Sequence, residues 1–248
     1  MYYKFAYMGE GFHGCIRQPK KKTVEGDIRE ALANEGFCEN IRIACRTDKG
    51  VSALCNMFYS GEKEDFSSRI TSKLHDIWIY AHTRGELDMK ACLKHYIYFY
   101  TGKRAGMEKA ARHFCGTHDF SYFSRLEKRN PLRTLDIRME ERGEMLLLHF
   151  LSSGFLWEMV RRIVGAMELH CSGRLSRGDI EEMFQKKIRK DIPPAPPQNL
   201  LLADIETNAK FITDDYVVSK MKKEFLSRQD YHRIMDSMYG EMRTLLQR

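Results

Sequence analysis

A chain of 248 residues, 43% apolar and 30% charged, has room for one large domain or two of roughly 100–150 residues around a substantial core. No apolar run approaches the ~18–20 residues of a membrane span, and Met1-Tyr2-Tyr3-Lys4-Phe5 lacks the basic-then-apolar order of a signal peptide, so no membrane partner and a cytoplasmic location are expected. The net charge of +7 is not gathered in a tail but stands in clusters at Lys20-Lys21-Lys22, Arg125 to Arg133, Arg161-Arg162 and Lys186 to Lys190. This suits a polyanionic partner and equally suits a mixed-charge solvated surface.

In chain order, Tyr2 to Met8 reads as a strand that ends in the glycine-rich stretch Gly9 to Gly14. Thr23 is placed to cap a helix running to about Ala33, closed by Gly36. Ile41 to Arg46 is a short strand with Ile41, Ile43 and Cys45 on one face, and Val51 to Tyr59 resumes after a turn. Cys92 to Tyr100 reads as an aromatic strand, with a helix as the alternative, and Thr101-Gly102-Lys103-Arg104 looks like a boundary. Met107, Ala110, Ala111, Phe114 and Cys115 make a helical stripe ending at Gly116. Leu135, Ile137 and Met139 alternate as in a half-buried strand, and Glu144 to Leu151 forms another. A helix is expected over Phe155 to Met167, then a capping box at Ser176-Arg177-Gly178-Asp179 before a further helix. Pro193-Pro194-Ala195-Pro196-Pro197 stops that helix and leads to a strand at about Leu200 to Ile205. Residues 217–248 read as helix, with Ile234, Met235, Met238, Met242 and Leu245 as its stripe. The order predicts an α+β protein with halves at 1–104 and 105–210 and a helical extension at 211–248.

Gly9-Glu10-Gly11-Phe12-His13-Gly14 fits GxGxxG, but Cys15-Ile16-Arg17-Gln18-Pro19 and three lysines follow instead of a helix, which argues against a dinucleotide fold. A glycine turn beside a basic loop can still bring backbone N–H groups to phosphates. His113, Cys115 and His118 lack a zinc spacing, and no metal is predicted. Seven cysteines without a CxxC pair read as reduced thiols. In Cys45-Arg46-Thr47-Asp48-Lys49-Gly50-Val51, Asp48 is either a solvated turn acid or a nucleophile, which needs an ionised, aimed and partly desolvated carboxylate. Arg46, two positions back, is placed to share its face and to lower its pKa. Tyr96 and Tyr98 share a strand face and either stack on bases or pack in the core. Arg161 and Arg162 lie off their helix's apolar stripe, for fork-like anion binding or for solvent.

Taken in order over about residues 3–207, these segments resemble the TruA family of tRNA pseudouridine synthases. The resemblance is carried by Tyr7-x-Gly9 with Phe12-x-Gly14 and Gln18, Thr23-Val24-Glu25-Gly26, Arg46-Thr47-Asp48-x-Gly50-Val51 and Tyr96-x-Tyr98. It continues in Met107-x-x-Ala110-Ala111 leading to Gly116-Thr117-His118-Asp119-Phe120-Ser121 and Phe123, in Arg133-Thr134, and in Phe155-Leu156-x-x-Met159-Val160-Arg161-x-Ile163-Val164-Gly165. It implies the pseudouridine synthase fold: two similar α/β halves joined through a mostly antiparallel sheet, with a basic cleft between them. It also implies isomerisation of uridine in tRNA, usually in the anticodon stem-loop, by a homodimer without cofactor or metal. Asp48 would be the nucleophile, Tyr96 would stack on the target base and take the C5 proton, and Arg46 and Arg161 would hold Asp48 charged and help displace the base. The RNA contacts expected are Gln18, Lys20, Lys21, Lys22, Arg125, Arg133 and Arg162. Several positions depart from the pattern: Cys15-Ile16, Cys45, Ser52, Glu158 (usually a neutral polar residue) and Asn199. A Phe-x-x-Arg usually found before the active-site tyrosine is absent near 85–88. A non-catalytic RNA-binding protein on the same scaffold is the alternative, although a spare carboxylate would repel phosphate there.

Overall fold

The computed structural model describes residues 1–125 and 130–245; residues 126–129, inside the Arg125 to Arg133 basic cluster, and the last three of the expected terminal helix lie outside this description. The strands are β1 Tyr2–Tyr7, β2 Ile41–Ile43, β3 Ser52–Ser60, β4 Ile77–Thr83, β5 Leu93–Tyr100, β6 Gly116–Asp119, β7 Leu132–Arg142, β8 Met145–Ser152, β9 Leu200–Glu206 and β10 Ile212–Thr213. The helices are α1 Val24–Asn34, α2 Ser67–Thr71, α3 Met107–Arg112, α4 Met159–Cys171, α5 Arg177–Phe184 and α6 Asp215–Leu245. Among the described residues the strands form one sheet in the order β10-β4-β1-β3-β9-β5-β8-β7-β6, with β2 added to β3. Every pairing is antiparallel except β3 with β9, where Ser52 faces Leu201 and Ala53 faces Leu202. Strand β5, which precedes the expected boundary at 104, is held between β9 and β8.

Strict alternation decides which face is covered. Along β5, Lys94, Tyr96, Tyr98 and Tyr100 are buried while Leu93, His95, Ile97 and Phe99 are half-buried, the period-two signature of a sheet with one packed face. The packed face meets Ile28 and Leu32 of α1, Met107 and Ala110 of α3, and Met159, Ile163 and Met167 of α4 in one apolar core. On the other face, at its β1–β4 end, Val217, Met221 and Phe225 of α6 pack on Ala6, Trp78, Met8 and Tyr80. Beyond the Arg228–Asp76 ion pair, α6 leaves the sheet: Ile234, Met238 and Met242 of the expected stripe are exposed rather than packed, and Met235 is half-buried.

Element boundaries differ from the sequence expectation in several places. The strand at Ile41 ends at Ile43, because only Ala44 still bonds to β3 through Met57; Cys45 bonds instead to the buried Asn56 side chain and the chain peels away. The helix expected from Phe155 begins at Met159, because Glu158 adopts φ 60° and breaks the right-handed run. Strand β4 and helix α2 were not anticipated; Ile77 and Ile79 enter the main core while Trp78 points to α6. Thr23 caps α1 by accepting from Gly26 N, and Ser176 and Asp179 form the expected capping box.

Candidate active site

The turn carrying Asp48 is built by glycines on two segments. Gly50, at φ 83°, occupies the third turn position, and Val51 N bonds back to Asp48 O at 3.2 Å. The Gly9–Gly14 stretch lies directly against this turn. A Cβ on Gly9 would fall 2.3 Å from Val51 O, and one on Gly14 would fall 2.9 Å from Thr47 O. Gly9 N donates to Ser52 Oγ at 2.9 Å, and Cys15 N, just past the stretch, to Thr47 O at 3.2 Å. Gly9 and Gly14 of the GxGxxG stretch therefore seat the Asp48 turn from both ends. Behind it, the Tyr7 hydroxyl and Thr47 Oγ1 are 2.7 Å apart, and Asn56 Oδ1 accepts from Cys45 N (3.2 Å) and Met57 N (2.8 Å) while its Nδ2 donates to Cys45 O (2.9 Å). Three of the family departures, Cys15, Cys45 and Ser52, thus belong to this support; burial pushes the Cys45 thiol up to about 12.

Asp48 meets a cation from the far side of the chain. Arg161 Nε donates to Asp48 Oδ2 at 3.0 Å, across 113 residues of sequence. The guanidinium is almost fully buried and all three nitrogens are engaged, Nη1 with Ala195 O at 3.1 Å and Nη2 with Glu158 at 3.2 Å. Ala195 N in turn donates to Arg161 O at 3.0 Å. This proline-flanked segment can come so near because residue 165 of α4 is glycine: a Cβ there would stand 2.1 Å from Pro193 O. Pro193 to Pro197 are thus the bed in which Arg161 lies.

The electrostatics run against the simple expectation for an arginine-paired acid. Burial pushes the Asp48 carboxyl above its ordinary value and prevails; the charge and hydrogen bond of Arg161 oppose it, Glu158 adds to it, and a hydrogen bond from the Trp157 side chain opposes it. Arg46 is exposed and makes no hydrogen bond or ion pair with Asp48. The expected Arg46–Asp48 pair is therefore replaced by Arg161, because β2 has ended before Arg46 and strand alternation no longer sets its direction.

Tyr96 lies two strands from this turn and in register with it: Ala53 of β3 faces Leu202 of β9, which faces Tyr96 of β5. The ring is 6% exposed and meets Phe155 edge-on at 4.9 Å. Burial first, then the neighbouring Cys45 and Asp48, raise its hydroxyl well above the ordinary range. Trp157, 43% exposed, lies under the Arg125 guanidinium at 4.1 Å. The structure thus brings together Asp48, Arg161, Tyr96, Trp157, Glu158 and Arg125. Trp157 and the clamping role of Glu158 were not read from sequence; a tryptophan beside the arginine of a polar helix start was the available signal.

The expected RNA contacts divide. Lys20 and Lys21 are exposed, Lys20 at φ 59°. Lys22 stands 3.9 Å from Asp27 and over the Phe12 ring, and Gln18 Nε2 donates to His13 O at 2.8 Å. Arg133 bonds through Nη1 to Asn130 O and Leu132 O, both at 2.7 Å, and lines a hollow of about 330 Å³ with Thr117, Thr134, Ser153 and Gly154. Arg162 turns inward instead, to Glu158 (2.9 and 3.0 Å) and Ile192 O (2.7 Å), because Glu158 lies one turn before it.

Comparison with known proteins shows the family. The chain is 40% identical over 243 residues to the tRNA pseudouridine synthase A of Thermococcus sibiricus, covering 91% of each chain. It is 38% identical over 241 residues to that of Pyrococcus abyssi, covering 91% of this chain and 92% of the other. The chain belongs to the tRNA pseudouridine synthase family. A family model described as tRNA pseudouridine synthase matches residues 110–208, and the tRNA pseudouridine synthase A of Methanothermobacter thermautotrophicus is 33% identical over 98% of this chain and 96% of its own. The matched residues 110–208 include Arg161 and β9, whereas Asp48 and Tyr96 lie outside them. A chain of a solved Cbf5–Nop10–Gar1 complex overlaps at a TM-score of 0.36 and 14% identity, over 67% of this chain and 44% of that one, too little to argue from. No helix among the described residues is long and apolar enough to cross a membrane.

Proposed function

We propose that this protein isomerises uridine to pseudouridine in tRNA, with Asp48 as the nucleophile. The observation that carries the proposal is the Asp48–Arg161 contact of 3.0 Å between two distant segments of a chain in this family. A solvated turn acid needs no buried, threefold-engaged arginine. In the reaction the N1–C1′ bond breaks, the uracil turns, C5 bonds to C1′, the C5 proton leaves and N1 gains one. Asp48 acts at the sugar C1′, at the base, or in base departure. Its desolvation supports each role, since a carboxylate stripped of water attacks more readily.

Tyr96 serves as the surface on which the target base stacks. A hydroxyl whose pKa is raised stays protonated, so stacking suits it better than taking the C5 proton from the resting state. Extrusion of the base costs a few kcal/mol, which phosphate contacts offset. Lys20, Lys21, Arg46 and Arg125 are exposed and suited to that task, with Lys22, Gln18 and Arg133 beside them; Arg162 is better suited to holding Glu158. The anticodon stem-loop as target and homodimeric assembly rest on the family resemblance; a cytoplasmic location and the halves at 1–104 and 105–210 with the 211–248 extension rest on the sequence pattern, and all belong to this reading.

The test is tritium release from tRNA carrying 5-tritiated uridine, by wild type and Asp48→Asn. Release by wild type and background by the variant supports the assignment. Equal release by both sinks the nucleophile, and no release from any tRNA favours the binding-only reading.

A further inference from the structure

Glu158 is a glutamate where the chain turns left-handed, φ 60° and ψ 6°, a conformation side-chain-bearing residues rarely adopt. It begins α4 without capping it through its side chain. What it does instead is face three arginines. Arg162 Nε and Nη2 both take Oε2, at 3.0 and 2.9 Å, while Arg161 Nη2 reaches Oε1 at 3.2 Å and Arg125 Nη1 stands 4.0 Å away. The side chain is 13% exposed, so these contacts are only weakly screened.

The consequence falls on Asp48. An arginine facing a lone carboxylate offers Nε and one Nη together in a fork. Here Glu158 takes that Nη, and Asp48 is left with Nε alone. Two carboxylates therefore share one guanidinium from adjacent edges. We propose that Glu158 is a positioning residue: by occupying Nη2 it pins Arg161 in a one-point contact with Asp48 and keeps a second negative charge beside that contact. This rests on the reading of Asp48 as the reacting group, but the charge coupling does not.

The other groups facing Asp48 are few. Arg161 and Trp157 come from α4 and its approach, and Tyr96 comes from β5. The 192–195 segment offers Arg161 and Arg162 backbone carbonyls only. Arg46 and Lys49, on its own turn, are exposed. Among the described residues Glu158 is the carboxylate that acts on Asp48, and it raises that carboxyl's pKa in the same sense as burial.

The experiment is a direct titration of Asp48 in the full chain, by carbon-13 NMR of aspartate carboxyls, with its signal identified as the one lost in Asp48→Asn. Glu158→Gln removes the charge and keeps one acceptor oxygen, which can still serve Arg161, while the amide NH2 that replaces the other oxygen no longer accepts from Arg162. Its Asp48 midpoint is expected to fall. Arg162→Gln strips Glu158 of its second cation and is expected to move the midpoint upward. A midpoint unmoved or raised in Glu158→Gln overturns the proposal, and if that variant does not fold, an unmoved midpoint in Arg162→Gln overturns it. Because the titration needs no turnover, a wild type without tritium release would refute the function while leaving this measurement to decide the coupling.

Discussion

Gly165→Ala pits local propensity against tertiary packing, and the two predict opposite signs. Within a helix, alanine is favoured over glycine by about 1 kcal/mol. In this fold the added Cβ would lie 2.1 Å from Pro193 O and 3.3 Å from Pro193 C, both backbone, with Ile192 Cγ2 at 3.6 Å. The segment must retreat by more than an ångström to reach ordinary contact. Three hydrogen bonds span that gap: Arg161 Nη1 to Ala195 O at 3.1 Å, Arg162 Nη1 to Ile192 O at 2.7 Å and Ala195 N to Arg161 O at 3.0 Å. At about 1 kcal/mol each their loss costs about 3 kcal/mol. Less the propensity gain, the variant should lose about 2 kcal/mol, which for a chain of this size lowers the melting temperature by about 4–8 °C. Tritium release should fall as well, since Arg161 loses its bed. Thermal unfolding followed by circular dichroism reads the first effect. A melting temperature unchanged or raised would refute the reasoning, because propensity would then have outweighed the close approach.

Two further outcomes follow from the site and the tail. Asp48 is an acid whose folded pKa lies above its ordinary 3.8, so the unfolded chain ionises first as pH rises and the fold loses stability through that window. Asp48→Asn should therefore melt above wild type at neutral pH, with the gap closing as pH falls below about 4; a variant less stable at neutral pH would mean that Arg161 outweighs desolvation. Ending the chain after Gln229 retains Val217, Met221, Phe225 and the Arg228–Asp76 pair, so the melting temperature should change by no more than a few degrees, and a loss of cooperative unfolding would show that the exposed stretch carries stability.

Much of the architecture is legible because it is periodic. The alternation around Leu135 to Met139 and the capping box at Ser176 are local signals that the backbone obeyed, and the stripe read from Met107 to Cys115 is helical only as far as Arg112. Glu158 shows the limit. Nothing in its neighbours announces a left-handed residue, and the helix read from Phe155 began four positions later. Arg46 shows another: strand alternation pointed it at Asp48, but Asn56 from the adjacent strand captures Cys45 and ends the alternation. The reciprocal fit of Gly9 to Val51 and of Gly165 to Pro193 depends on segments far apart in sequence, so the same glycines read as a phosphate loop or a helix interior until the partner backbone is in place. Asp48 itself was visible only through its ordered company, and the arginine expected from the other half is the one that meets it.

The sheet's strand order also has a kinetic side. Strand β9, which begins at Leu200, is inserted between β3 and β5, both of which are complete by Tyr100. While the chain is being synthesised, those two strands wait with unpaired edges for about a hundred residues, at ordinary elongation rates a matter of roughly 5–20 s. Open edges invite pairing with the wrong strand or with another chain. The nascent protein is thus exposed to aggregation through the period in which its Asp48 and Tyr96 segments exist but have nothing between them, and the last strand of the interior both closes the sheet and ends that exposure.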